Sequence, residues 1–192
     1  MILGPGAFLR VGLLLLVAVI LQLSVVGQIG VLGSYADLTP LAVAAVAFYG
    51  GSIAGSAAGF AAGLLLDLAT GATMGASSLV LTAVGYGVGR FREVRDPSHG
   101  LMPIAVGAFA TAGWVTAYAA VSFMLDVGAT VSPLVIRDAA VTVMLGALLA
   151  LPVFILSRKL LAPALAFDPR ELRRRRGAPS EPGPLGLRGL EV

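Results

Sequence analysis

The segment "YGGSIAGSAAGFAAGLLLDLATGATMG", residues 49–75, decides how this chain folds. Four of its glycines recur at every fourth position: Gly51, Gly55, Gly59 and Gly63. The apolar run that follows them ends at Asp67. Residues four apart share one face of a helix, yet glycine destabilises a helix in water by roughly 0.5–1 kcal/mol relative to alanine. The meaning of the stripe therefore depends on the medium around the helix.

The composition indicates that this medium is lipid. The 192 residues are 58% hydrophobic and 12% charged, with a mean hydropathy of +0.96. A soluble domain carries about 25% charged residues, so half of the usual charge is missing. Between Arg10 and Arg90 the only acidic or basic residues are Asp37 and Asp67. Because about 20 apolar residues cross the hydrocarbon core, the sequence predicts an all-α polytopic membrane protein.

Six transmembrane helices are predicted, with approximate bounds 8–30, 36–49, 51–67, 76–90, 101–125 and 133–157. The uncharged stretch 41–66 is ambiguous, because as one helix it would be about 39 Å long against a hydrocarbon core of about 30 Å. A break at Tyr49-Gly50-Gly51 gives six spans, and one tilted helix gives five, which is the alternative. Six spans with a cytoplasmic N-terminus place twelve of the thirteen Lys and Arg residues inside, Arg137 excepted, as the positive-inside rule favours.

The glycine stripe is the signature of close helix packing in lipid. Helices there gain nothing from hiding apolar side chains, and small residues let their backbones approach. Gly85 and Gly89 give the next span a shorter version of the same stripe. Two interpretations remain open for these six glycines: packing within the chain, or binding of a partner protein's helix. In either case we expect the helix that carries the long stripe to be central in the fold.

The segment "DLATGATMG" predicts a tight turn after that helix. A carboxylate at the membrane centre costs about 2.5–3.5 kcal/mol on insertion scales, so Asp67 marks an interface or an enclosed site. Asp67 and Thr70 can accept backbone hydrogen bonds, while Gly71 and Gly75 allow tight backbone geometry. Capping of the turn is favoured over ion or proton chemistry for Asp67.

The C-terminal region has a different character. Residues 1–162 form the predicted membrane domain, and residues 163–192 form a basic, Pro/Gly-rich cytoplasmic tail with disorder beyond about residue 177. The tail contains a run of four arginines: Arg173, Arg174, Arg175 and Arg176. These either contact anionic lipids of the inner leaflet or only set the orientation of the chain. Nucleic acid is not an expected partner.

Residues suited to catalysis are scarce. The chain has no cysteine and one histidine, His99, which excludes thiolate and multi-histidine metal sites. We therefore expect no enzymatic activity, no metal and no cofactor. Trp114 and Tyr118, on one face of the fifth span, are the best candidates to line a ligand pocket, although core or lipid packing explains them better.

The stretch "GFAAGLLLDLATGATMGASSLVLTAVGYGVGR", residues 59–90, resembles MreD, the rod shape-determining membrane protein family of bacteria. The resemblance rests on a glycine-rich helix that ends in the motif G-x-x-x-D. A glycine-containing turn follows, and then an apolar span with a basic end. The matching residues are Gly63, Asp67, Gly71, Gly75 and Arg90. The recognisable part covers residues 41–92.

The resemblance implies a non-enzymatic scaffold of the cell-elongation machinery, working with the bitopic protein MreC, with MreB filaments, and with the glycosyltransferase and transpeptidase of lateral peptidoglycan synthesis. It also implies a six-helix plan similar to that of the substrate-binding subunits of energy-coupling-factor transporters. The alternative function is therefore a small-molecule-binding subunit of such a transporter. That function requires an enclosed polar pocket, so the composition favours the scaffold.

Overall fold

The computed structural model describes residues 5–24, 35–94, 102–125 and 133–165, and this part of the chain forms six helices. They are α1 (Pro5–Ser24), α2 (Leu38–Gly50), α3 (Ser52–Thr70), α4 (Ala76–Val94), α5 (Met102–Met124) and α6 (Pro133–Leu165). The bounds follow the predicted spans closely from α2 to α5. The last helix continues past the predicted end at Ser157 to Leu165, and the predicted residues 25–30 lie outside the described part.

The helices alternate in direction. The Leu38 N–H at the start of α2 donates to Gln22 near the end of α1, and Ser52 at the start of α3 donates to Glu93 at the end of α4. At the other end of the chain, Leu160 of α6 and Arg10 of α1 line the same groove. Both described ends of the chain, residues 5 and 165, consequently lie at one end of the bundle, which is the basic end.

The central helix is α2, which contacts each of the other five helices. Every residue from Leu38 to Phe48 is buried. The glycine-rich helix α3 is therefore not central as expected, because Ile53 is 81% and Phe60 56% exposed, although it does pack against three neighbours, α1, α2 and α4. The glycines let α3 approach one neighbour closely, whereas burial on all sides needs a helix that is apolar around its whole circumference, as α2 is.

Gly51 breaks the ambiguous stretch 41–66 into two antiparallel helices. Its φ of 87° and ψ of −178° are readily adopted only by glycine, and its N–H still bonds the Ala47 carbonyl at 2.8 Å. Arg92 caps the end of α2 by donating to the Tyr49 carbonyl at 3.0 Å. The chain thus reverses direction at Gly51, as the prediction of six spans requires.

Three helices in the described part are long and apolar enough to cross a membrane: Ser52–Thr70, Met102–Met124 and Ile136–Leu161. The apolar stretches Leu9–Ser24 and Leu38–Gly50 are shorter. With 13 residues, α2 is about 20 Å long, less than the hydrocarbon core of about 30 Å. The α4 helix is less apolar, because it carries Ser77, Ser78 and Thr82 and ends in charged residues.

Candidate functional site

The glycines of α3 and α4 lie against each other in one antiparallel seam. A Cβ atom on Gly55 would overlap the carbonyl oxygen of Gly85, and a Cβ atom on Gly85 would overlap that of Gly55. A Cβ on Gly59 would overlap the backbone of Leu81, and one on Gly63 would overlap that of Ser78. The stripe of α3 therefore brings two backbones into contact along several turns.

Of the remaining two glycines of the predicted set, one belongs to this seam and the other lies just beyond it. Gly89 faces the backbone of Ser52, in the first turn of α3. Gly51 lies outside the seam, at the break between α2 and α3, where Glu93 Oε1 is 3.2 Å from the position of a Cβ. In this structure the five seam glycines face their own chain, so the seam offers no open surface to a partner's helix.

Asp67 joins the end of α3 to the start of α4. The residue is 1% exposed, its Oδ2 accepts from the Gly75 N–H at 2.8 Å, and its Oδ1 accepts from the Ser77 N–H at 3.2 Å. Ser77 lies in the first turn of α4 and Gly75 directly precedes that helix, and N–H groups at a helix start lack partners within the helix. Asp67 therefore caps the next helix, and Thr70 takes another role by donating to the Leu66 carbonyl at 2.8 Å.

Gly71 and Gly75 both have positive φ, at 65° and 97°. Nothing lies within 4 Å of a Cβ at either position. Backbone conformation is therefore the reason for glycine at these two positions, in contrast to the seam, where space is the reason.

Glu93 caps a helix in the same way at the opposite end of the α3–α4 pair. Its Oε1 accepts from the Ser52 N–H at 2.9 Å and from the Ser52 hydroxyl at 2.7 Å. These two hydrogen bonds hold the pKa of Glu93 below its ordinary value, with help from the Arg90 guanidinium at 3.3 Å. Each helix of the pair thus caps the first turn of the other. Glu93 was not among the predicted site residues, because the sequence does not show which helix begins beside the end of α4.

A polar cleft of about 480 Å³ lies at the end of the bundle opposite Arg10, Arg90 and Arg158. Six of the residues that line it come from four helices and the segment before α2: Gln22, Asp37, Thr39, Thr70, Trp114 and Tyr118. Asp37 Oδ1 accepts from the Gln22 amide at 2.9 Å, and Asp37 Oδ2 accepts from the Trp114 indole N–H at 3.0 Å. The Trp114 and Tyr118 rings pack with centroids 4.9 Å apart. The structure therefore places the two predicted pocket aromatics beside a carboxylate.

The other predicted features give no further site. Arg173 to Arg176 and His99 lie outside the described residues. Within residues 5–24, 35–94, 102–125 and 133–165, no group of three His, Cys, Asp or Glu residues is placed to hold a metal ion.

The family comparison covers all six helices in whole or in part. A family model described as rod shape-determining protein MreD matches residues 5–162. The chain belongs to the MreD family. MreD proteins are rod shape-determining membrane proteins, and the match confirms the family resemblance inferred from the sequence. No curated protein and no solved structure matches the chain.

The structure of this MreD protein gives physical roles to four of the residues that carried the resemblance. Gly63 belongs to the seam, Asp67 caps α4, and Gly71 and Gly75 make the turn between the two helices. All four residues therefore serve the junction of α3 with α4.

Proposed function

We propose that this protein is a non-enzymatic scaffold of the bacterial rod-shape machinery, which binds an MreC-like bitopic partner and helps organise lateral peptidoglycan synthesis. The observation that carries the proposal is the MreD family match over residues 5–162, which begins with α1 and extends into α6. In this proposal the glycosyltransferase, the transpeptidase and MreB filaments are further partners.

The use of polar side chains in the described part supports a structural role. Asp67, Glu93 and Arg92 each satisfy backbone groups at helix ends. Such bonds fix the helices relative to one another in lipid, where unsatisfied backbone groups are costly. A rigid bundle of this kind suits a scaffold that positions another protein's membrane anchor.

The partner's helix requires a surface other than the glycine seam. We assign it to the groove between α1 and α6, which has a volume of about 400 Å³ and an almost wholly apolar lining. Leu13, Val17 and Leu21 line it from α1 at four-residue spacing, and Leu156 and Leu160 line it from α6. This spacing fits the side chains of one further helix, because shape complementarity along several turns drives helix association in lipid.

Co-purification tests the proposal. Val17→Trp and Leu156→Trp fill the groove, and Leu68→Trp is the matched control, because Leu68 is 60% exposed on α3 and outside the groove. We expect both groove variants to fold and to lose the MreC-like partner, while Leu68→Trp retains it. Folded groove variants that keep the partner would remove α1–α6 as the contact. Failure of the wild-type protein to recover any rod-shape component would contradict the scaffold function itself.

The proposed setting is the bacterial cytoplasmic membrane with both termini in the cytoplasm. The basic end of the bundle, with Arg10, Arg90 and Arg158, then faces the cytoplasm, as the positive-inside rule favours. The arginine run 173–176 would lie near the anionic inner leaflet, where each basic residue contributes about 1 kcal/mol of attraction.

A transporter subunit is the second candidate, and the polar cleft with Trp114 is the observation that favours it. Binding of a vitamin-sized ligand to the purified protein at submicromolar concentration would support this candidate over the scaffold. The family match favours the scaffold.

A further inference from the structure

The cleft beside Trp114 contains a buried hydroxyl that has no hydrogen-bond partner in the described part of the protein. Thr39 is 1% exposed and lines the cleft, and its Oγ1 has no hydrogen-bond partner among the described residues. A buried polar atom without a partner costs about 1–3 kcal/mol, so such atoms normally have one. The unpaired hydroxyl indicates that a polar group from outside completes this cleft.

The charge of the cleft indicates the sign of that group. Asp37 is a carboxylate, and the two side chains that donate to it, Gln22 and Trp114, are neutral. None of the described lining residues is basic. Each carboxylate oxygen has a further lone pair available, so the Asp37 carboxylate can accept more hydrogen bonds. The cleft therefore favours a cation that carries hydrogen-bond donors.

The aromatic pair strengthens this preference. Trp114 and Tyr118 line the cleft together, and aromatic faces attract cations, tryptophan most strongly. The volume of about 480 Å³ falls within the range of roughly 300–1,000 Å³ that is typical of small-ligand sites. An organic cation of modest size thus fits better than a bare metal ion, for which the described residues offer no cluster of ligands.

We propose that this cleft binds a primary ammonium group, with Asp37 and the Thr39 hydroxyl as hydrogen-bond acceptors and Trp114 and Tyr118 as the aromatic wall. An ammonium group has three donors, which can reach both acceptors at once. Two sources share this chemistry: the ethanolamine headgroup of a phospholipid and a small free amine. The site is independent of the rod-shape scaffold role.

Trp114 makes the proposal directly measurable, because it is the only tryptophan of the chain. The full-length protein in detergent is titrated with ethanolamine and with dihexanoylphosphatidylethanolamine while Trp114 emission is recorded. Dihexanoylphosphatidylcholine and dihexanoylphosphatidylglycerol are the controls, since neither headgroup carries ammonium N–H donors. We expect a saturable change with at least one of the two amines and none with the controls.

Variants of the acceptors test the assignment. Asp37→Asn should weaken the response about tenfold or more, the scale of one lost hydrogen bond to a charged group. Thr39→Val should weaken the response severalfold. If Asp37→Asn fails to fold, Thr39→Val alone tests whether the cleft binds the amine. Glu93→Gln is the matched control, because it removes a carboxylate at the opposite end of the bundle and should leave the response unchanged.

The outcomes separate cleanly. A response to the phospholipid alone assigns the site to lipid, and a response to both amines assigns it to small amines; either supports an ammonium site. An equal response to the choline lipid, no saturable response to either amine, or unchanged binding in both cleft variants would overturn it.

Discussion

Gly55 and Gly85 pack backbone to backbone, and each occupies the space that a Cβ on the other would need. This reciprocal contact lies within the α3–α4 seam. Because both residues lack side chains, the carbonyl group of each approaches the Cα of the other, where weak Cα–H···O contacts add to van der Waals packing. The pairing explains why glycine, unfavourable in a water-exposed helix, recurs in both of these helices.

Gly59→Leu is expected to disrupt the fold strongly. Its side chain would overlap the Leu81 backbone, which cannot rotate away, so the cost should reach or exceed the roughly 1–3 kcal/mol of a typical overpacking substitution. Thermal stability and the size-exclusion profile in detergent measure the effect. Gly87→Leu is the matched control on the open face of α4, since nothing lies within 4 Å of a Cβ there.

A second comparison uses Leu65, which is 38% exposed on the same helix as Gly59. Leu65→Ala should be nearly as stable as the wild-type protein, because its side chain lies mostly outside the seam. Equal losses for Gly59→Leu and Leu65→Ala would contradict the close approach of α3 and α4.

Asp67→Ala is expected to destabilise the protein by about 1–3 kcal/mol, because the Gly75 and Ser77 N–H groups at the start of α4 lose their acceptor. Asp67→Asn should cost less, since the amide keeps one acceptor oxygen. Thr70→Val is the control, because it removes an exposed hydroxyl that bonds only within its own helix. Chemical or thermal unfolding of the three variants in one detergent gives the order, and an Asp67→Ala variant as stable as Thr70→Val would exclude capping.

Gly71→Ala should cost about 1 kcal/mol through backbone strain alone, since its φ is 65° and its Cβ would meet nothing. Gly71→Asn should cost less, because asparagine tolerates the left-handed region better than other residues with a Cβ. Comparing the unfolding midpoints of the two variants distinguishes backbone strain from steric overlap as the cause of the loss. A larger loss for asparagine than for alanine would indicate a steric reason instead.

The sequence predicted the elements of this site better than their pairing. Four-residue spacing in residues 51–63 and at Gly85 and Gly89 indicated two small faces, but spacing on one helix does not identify the opposite helix. Two stripes of equal period on consecutive helices joined by a tight turn were the available signal for their pairing. The capping role of Asp67 was predictable because the carboxylate directly precedes a glycine-containing turn.

Contacts between residues far apart in the chain could not be predicted in this way. Glu93 and Ser52 are 41 residues apart, and Gln22 and Leu38 are 16 apart. These bonds depend on which helix ends meet in the bundle, and local periodicity carries no such information. The central position of α2 did have a signal, because "LAVAAVAF", residues 41–48, is apolar on every side and α3 is not.

Acid should destabilise the protein through Glu93, which lies beyond the predicted span 76–90. Its pKa is lowered from the ordinary value of 4.5, chiefly by the Ser52 N–H and hydroxyl, and also by Arg90. A lowered pKa in the folded state means that the stabilisation is present above pH 4.5 and is lost as the pH falls through the lower, folded-state value. Thermal melts of wild-type protein and Glu93→Gln across this range should therefore converge at acid pH. A constant difference at every pH would contradict the role of the carboxylate charge.

Membrane topology gives the last prediction. The six described helices alternate in direction, so residues 5 and 165 lie at the same end as Arg10 and Arg158, and the positive-inside rule places that end in the cytoplasm. The chain has no cysteine, so single cysteines report their own positions without background. Cysteines at positions 5 and 180 should both resist a membrane-impermeant thiol reagent in intact cells, while Thr73→Cys, in the exposed α3–α4 turn at the opposite end, should react. Labelling at position 5 and of Thr73→Cys, with protection at position 180, would instead select the five-span arrangement, in which residues 41–66 cross once, and it would contradict the chain reversal at Gly51. Labelling at positions 5 and 180 with protection of Thr73→Cys would keep six spans but invert them, and the basic end would then face outward.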